Sequence, residues 1–439
     1  MSFADITMMI IDHMNILFKW IFNWKFTRFL FAVASKLSEK TSDTQKITII
    51  ILSGFICRIL VVQFFPALYP LQSISLRSDP ASYDQLASNI LEGLGYSTYW
   101  QPGFPIFLSM IYGIFDQSIL AARVILSIIG TSIGIITYFI TENLFNKKYL
   151  SYLAFIFVTF NPYLILQSPR IMSDTLALFM FALLILLVII YIQRNKFITM
   201  PIIGLISGIL LLIRPNYFFI LIPIVIYLIF TRKNYMHLFT LLICTSLVLA
   251  PWVMYTNNVL SEPVLSTNGG INFYIGNNEH ATGHFIKLNS EKWDSESDLD
   301  RSKLAFSKAI SYISDNPLSA AKNFLKKSLL ITFIPQNTPS ELSQFSIPCS
   351  GLTSAIYCYG LNIFYILIEI LGICAVINAW NRFHSKPEFR TIMVLLVFSY
   401  IIPIIFFVNM RMTMSIIFIY TIFISYYIYN QFSHHLNIT

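Results

Sequence analysis

Charge is the first thing this chain lacks. Only 11% of its 439 residues are Asp, Glu, Lys or Arg, against about 25% in a soluble domain. With 56% hydrophobic residues beside them, so few charges exclude a water-soluble globular surface and leave an integral membrane protein. Cysteine is also sparse, five in all, and no Cys-x-x-Cys occurs, so neither a zinc ribbon nor a thioredoxin-type redox pair is present. There is no His-Glu-x-x-His, no Gly-x-Gly-x-x-Gly and no Gly-x-x-x-x-Gly-Lys-Ser/Thr loop. Their absence argues against zinc hydrolysis and against a nucleotide substrate. The net charge of +8 sits in the loops between apolar runs, where it reports membrane orientation rather than nucleic-acid binding. The first 46 residues carry the early acids Asp5 and Asp12, and Lys19, Lys25 and Arg28 break their apolar runs, which argues against a signal peptide.

What the chain has is long apolar runs. They predict about ten transmembrane helices, at 47–65, 118–140, 150–167, 175–192, 201–213, 217–230, 238–255, 355–377, 391–408 and 413–429. The run at 105–115 is too short to span and reads as a re-entrant or interfacial helix. The fold class is therefore an all-α multispan membrane protein, with a small mixed outer domain formed by the polar segment 256–354. Residues 1–46 read as a cytoplasmic amphipathic segment. A core at 47–255 includes a first outer loop at 66–117, and 355–439 holds the last helices. Arg58, inside the first span, faces protein or snorkels. The turns after spans two, four, six and eight hold nine Lys and Arg residues, whereas those after spans three, five and nine hold Arg170, Arg214 and Arg411 alone. The positive-inside rule puts the nine in the cytoplasm and turns the first loop and the polar segment outward together.

The first loop is the most informative stretch. Residues 78–105 read SDPASYDQLASNILEGLGYSTYWQPGFP. Asp79 is placed as an N-cap with Pro80 at N1, and Tyr83, Leu86, Ala87 and Ile90 share one face of the helix that follows. A plain N-cap explains Asp79. So does a base, because the helix dipole favours an ionised carboxylate at that end. Asp84 is a second carboxylate one turn on. Each short outer turn carries one arginine, and Arg77, Arg123 and the Lys322, Lys326, Lys327 cluster join them on that side. Arginine forks suit phosphate oxygens, and snorkelling at span ends explains lone arginines without a ligand. The spacing of His280 and His284 would suit zinc on a helix, but Gly283 between them weakens it. Cys349 and Cys358 are placed to pair in an oxidising compartment.

Several motifs, in order, resemble a known group. Asp79-x-x-x-Tyr83-x-x-x-Ala87, Gly93-x-Gly95, Pro102-Gly103-x-Pro105 and Ala121-Ala122-Arg123 are similar to bacterial membrane glycosyltransferases of the GT-C superfamily. These are relatives of protein O-mannosyltransferases and of the lipid A aminoarabinose transferase. Ser173-Asp174 resembles the group's Ser-Glu, with a shorter acid. Leu212-Ile213-Arg214-Pro215 resembles its Leu-x-Arg-Pro turn, and Arg411 falls where an arginine precedes the last span. Asn268-Gly269-Gly270, the run Asn272–Asn278 and Ala281-Thr282-Gly283 resemble its outer-loop signature. The resemblance implies a polyprenyl-phosphate sugar donor and a glycan, lipid or protein acceptor at the outer face of a bacterial plasma membrane. It implies Asp79 as the base and inversion at the anomeric carbon. Tyr83, Asp84, Arg123, Arg170, Asp174, Arg214, Asn277, Lys327 and Arg411 would then contact substrate. No cofactor beyond the lipid-linked donor and no metal is expected, because the first loop holds no Asp-x-Asp. Two other classes compete. An O-antigen polymerase or ligase would rely on loop arginines and a histidine, and a transporter would show an inverted repeat.

Overall fold

The computed structural model describes residues 42–64, 76, 79–232, 234–286, 288, 297–333 and 360–436. Its elements run α1 (Asp43–Gln63), α2 (Asp79–Glu92), α3 (Gly103–Ile114), α4 (Ile119–Phe145), α5 (Lys148–Thr159), α6 (Pro162–Gln167), α7 (Ser173–Arg194) and α8 (Thr199–Ile213). A 3-10 turn (Pro215–Ile220), α9 (Leu221–Ile226) and a π turn (Tyr227–Arg232) lead to α10 (Tyr235–Leu260). The polar segment supplies α11 (Gly269–Gly276), α12 (Asp298–Asp315) and α13 (Pro317–Phe333). Then come α14 (Leu361–Phe383), α15 (Pro387–Ile405), a 3-10 turn (Met410–Thr413) and α16 (Met414–Leu436). Among the described residues there is no strand, and the β-type pairing is an isolated parallel bridge between His284 and Val408. The amphipathic segment up to residue 41, Arg77 and the Cys349–Cys358 pair lie outside the described residues.

Local chemistry sets the helix ends. Ser42 and Gln45 form a capping box at the start of α1. Ser118 caps α4, and Asn146 closes it in the left-handed conformation at φ 52°. Among the described residues, seven helices are long and apolar enough to cross a membrane: α1, α4, α7, α10, α14, α15 and the run Met410–Gln431. The three other expected spans are shorter or broken. The run expected at 150–167 divides into α5 and α6, because Pro162 has no N–H to continue the ladder and the Asn161 carboxamide caps the amides of Tyr163 and Leu164. Buried Arg58 donates to the carbonyl of Thr159 at 2.9 Å, at the end so created. The run expected at 217–230 passes through 3-10, α and π geometry, with Pro215 just before it and Pro223 inside it.

The last helix is the centre of the bundle. In its apolar window 89% of residues are buried, against 17% in α1 and in α10, which therefore lie at the periphery. The polar segment is not a separate body, since α13 packs on α14 and α15. Its loop at 264–268 is tied to the first loop: Thr267 N donates to Thr98 O at 3.0 Å, and Gln101 Nε2 donates to Ser266 Oγ and Asn268 Oδ1. Both long polar stretches thus cover one end of the bundle.

Candidate active site

Four turns at that loop-bearing end each deliver one charged side chain. Ser173 and Asp174 begin α7, where a carboxylate meets the positive end of the helix dipole. Arg214 follows the last residue of α8 in an extended conformation, because Pro215 forbids the helix to continue. The first turn of α3 fixes the height of this turn. A Cβ at Gly103 would lie 2.7 Å from Ile213 N and 2.8 Å from Leu212 O, so a glycine is needed for α3 to press on the backbone just before Arg214. Arg411 sits in the 3-10 turn before α16, where Asn409 Oδ1 accepts from its amide at 2.9 Å. Asp79 is the first residue of α2.

These side chains form one ion network. Arg214 Nη2 lies 2.5 Å from Asp174 Oδ1. Arg411 Nε donates to both Asp174 oxygens, at 3.2 and 3.0 Å, and its Nη1 donates to Asp79 Oδ2 at 2.9 Å. Arg411 therefore bridges the two carboxylates. The Asp174 side chain is 1% exposed and that of Asp79 24%, so the network runs from the protein interior to an open edge. Arg170, buried and donating to Gln167 Oε1 at 2.9 Å, adds its charge to the field at Asp174. Three arginines and two carboxylates thus share this end of the bundle. Arg214 Nε also donates to Ser173 Oγ at 3.2 Å, and the Tyr83 hydroxyl is 3.5 Å from the same oxygen. Burial, reinforced by the Asp79 charge, pushes the Tyr83 phenol up to about 12, so Tyr83 stays a neutral phenol. Its ring packs against Trp100 and Phe104 at centroid distances of 5.2 and 5.0 Å.

Comparison with known proteins gives a consistent answer. The family described as dolichyl-phosphate-mannose-protein mannosyltransferase matches residues 101–255, the span from Pro102-Gly103 through Arg170, Asp174 and Arg214. Among solved structures, the oligosaccharyltransferase of Archaeoglobus fulgidus in its apo form aligns over 88% of this chain and 51% of its own, at 14% identity and a TM-score of 0.51. The same protein with zinc and sulfate aligns over 88% and 50%, at 11% identity and a TM-score of 0.48. This chain spans about half the length of that enzyme. No curated protein sequence matches it. The family match covers 155 of the 439 residues, and the likeness to the apo oligosaccharyltransferase is one of fold.

Of the residues the sequence puts forward for the site, Asp79, Tyr83, Arg170, Asp174, Arg214 and Arg411 come together here. The remaining expected site residues are elsewhere. Asp84 accepts a 2.5 Å hydrogen bond from Tyr112, and Arg123 interacts with the same Tyr112, so these three form a separate cluster where α2, α3 and α4 meet. Asn277 and Lys327 are bound to each other and to the end of α15. Lys327 is 1% exposed, which removes it from the phosphate-contacting role expected of it. His284 Nδ1 pairs with Val408 O at 3.1 Å, while exposed His280 pairs with Glu279. The two histidines therefore do not converge on a metal. The sequence reading missed Ser173 as a contact, although the Ser-Asp pair was visible. It also missed Arg301, which pairs with Asp298 at the start of α12, close enough for both to act on Tyr99. No motif marks Arg301.

Proposed function

We propose that this protein transfers a sugar from a polyprenyl-phosphate donor to an acceptor hydroxyl, with inversion and with Asp79 as the base. The acceptor oxygen attacks the anomeric carbon, and its proton passes to the Asp79 carboxylate. The bond from the anomeric carbon to the phosphate oxygen breaks, and polyprenyl phosphate leaves with the electron pair. Arg411, Arg214 and Arg170 neutralise the charge that grows on that phosphate. The observation that carries this reading is the bridge made by Arg411 between Asp79 at the open edge and Asp174 in the interior. A phosphate arriving beside Arg411 competes with Asp79 for the guanidinium. Transfer of Arg411 to the phosphate frees Asp79 Oδ2 for the hydroxyl proton, so donor binding prepares the base. The trapped carboxylate Asp174 holds the arginine cluster in register and needs no contact with the reacting atoms. Both the distribution of basic loops and the single end carrying the polar stretches favour a site facing outward from a bacterial plasma membrane. The acceptor hydroxyl belongs to a glycan, lipid or protein.

Asp79→Asn tests the base. It keeps the shape of the side chain but cannot take the proton. Purified enzyme in lipid, assayed with a polyprenyl-phosphate sugar and native membrane acceptors, should lose about 10²–10⁴-fold in transfer rate, while Asp84→Asn remains near parent activity. Near-normal turnover by Asp79→Asn would remove the base assignment.

A further inference from the structure

Lys327 is the one buried lysine whose partners contain no carboxylate among the described residues. Its Nζ lies 3.2 Å from Gly276 O, 3.1 Å from Asn277 Oδ1, 3.2 Å from Phe406 O and 3.5 Å from Ile405 O. These oxygens belong to two helix C-termini, because α11 ends at Gly276 and α15 at Ile405. Carbonyls at helix C-termini lack intrahelical donors and carry the negative end of the dipole. One ammonium joins both ends. Asn277 Nδ2 completes the joint by donating to Ile405 O at 2.8 Å, and Asn323, one turn before Lys327, donates to Gly276 O at 2.8 Å. The approach is so close that a Cβ on Gly276 would meet Phe406 O at 1.5 Å.

Two residues on, the same connection is held a second time. Val408 N donates to Gly283 O at 2.8 Å, His284 Nδ1 pairs with Val408 O, and the Phe285 and Phe407 rings meet edge-on at 5.5 Å. Asn409 then caps the turn that carries Arg411. Every anchor on residues 405–408 described here comes from the polar segment, and three residues beyond them Arg411 bridges Asp79 and Asp174.

We propose that Lys327 and Asn277 are positioning residues: they latch the polar segment to the end of α15 and thereby set the place of the Arg411 guanidinium. The outer-loop signature around Asn277 and Gly283 then serves as this latch and not as a ligand contact. The part played by Arg411 in transfer rests on the function proposed above, but the latch itself is tested without it.

The test is hydrogen–deuterium exchange of the full chain in lipid nanodiscs, read by mass spectrometry. Lys327→Met keeps the apolar stem and removes the donors. It should raise exchange of the amides at 405–413 about tenfold or more, leave 173–194 and 414–430 at parent rates, and be partly reversed by Lys327→Arg. Asn277→Ala removes two bonds of the latch, those to Lys327 Nζ and to Ile405 O, and should raise exchange over the same residues, which covers the case in which Lys327→Met does not accumulate. Parent-like exchange at 405–413 in these variants, or an increase spread over the whole chain, overturns the latch. In the transfer assay, Lys327→Met should lower kcat by about 10²-fold, the cost of an ångström-scale misplacement, with donor KM little changed. If the parent chain transfers no sugar, the proposed function falls, and the exchange data still decide the latch.

Discussion

At the residue scale the two aspartates of the network differ in what they hold. Asp174 is enclosed and is the shared partner of Arg214 and Arg411. Removing one partner of a buried ion pair leaves an uncompensated charge and costs about 3–5 kcal/mol. Asp174→Asn should therefore lower unfolding stability by about that amount, measured by denaturant titration in detergent. The loss should be smaller when Arg214→Met accompanies it, because one orphaned charge is then gone. Asp79 stands at the open edge, so Asp79→Asn should leave stability within about 1 kcal/mol of the parent while transfer collapses. A stability loss as large as that of Asp174→Asn would make Asp79 a structural partner instead of a base. Tyr83 separates packing from polarity. Tyr83→Phe keeps the contacts with Trp100 and Phe104 and gives up only a long 3.5 Å contact. Tyr83→Ala should cost about 3–5 kcal/mol, as aromatic truncations in cores do.

At the element scale the turns carry the information. Arg214 and Asp174 were legible because Pro215 and the Ser-Asp pair mark helix ends in the sequence, and the break between α5 and α6 follows from Asn161-Pro162. Lys327 was misread for a geometric reason. It follows Lys326 in a basic cluster, but one residue turns a helix by about 100°, so Lys322 and Lys326 are exposed while Lys327 enters the protein. Burial lowers its ammonium to about 8 from an ordinary value of 10.5. Between these values the unfolded chain binds the proton that the folded chain has released, so folding gains stability as pH rises through that window. Below pH 8 both states are protonated, and the full desolvation cost remains. Parent protein should therefore gain stability relative to Lys327→Met between pH 8 and pH 10, as read from paired melting curves. A difference that stays flat over that range would mean that Lys327 keeps its ordinary proton affinity. Gly276→Ala, which drives a methyl into Phe406 O, should unfold at a markedly lower temperature than the parent.

At the scale of the whole molecule, composition and apolar runs announce a membrane bundle, but they cannot announce which of its turns meet. The partners of the network are 40, 237 and 332 residues apart, and pairing over such separations is decided by the packing of α7, α8 and α16, which no local pattern encodes. What the sequence does carry is the sidedness of the loops, and the bonds between residues 98–101 and 266–268 make that sidedness testable as one property. If the loop-bearing end faces outward, an impermeant thiol reagent applied to intact cells should label a cysteine at Ser97 and one at Ser307 on α12. It should spare one at Ser385, between α14 and α15, until the cells are opened. All three positions are exposed, so reagent access depends on the side of the membrane and not on burial. In a background without the native cysteines, labelling of Ser97 and Ser307 together places the Asp79 edge where a lipid-linked donor in the outer leaflet can reach it. Labelling of Ser385 alone inverts the bundle, moves the network to the cytoplasm, and with it removes the outward-facing transferase. Labelling of Ser97 without Ser307 breaks the single end that the Gln101 and Thr98 bonds describe, and the Arg411 bridge could not then form as it stands.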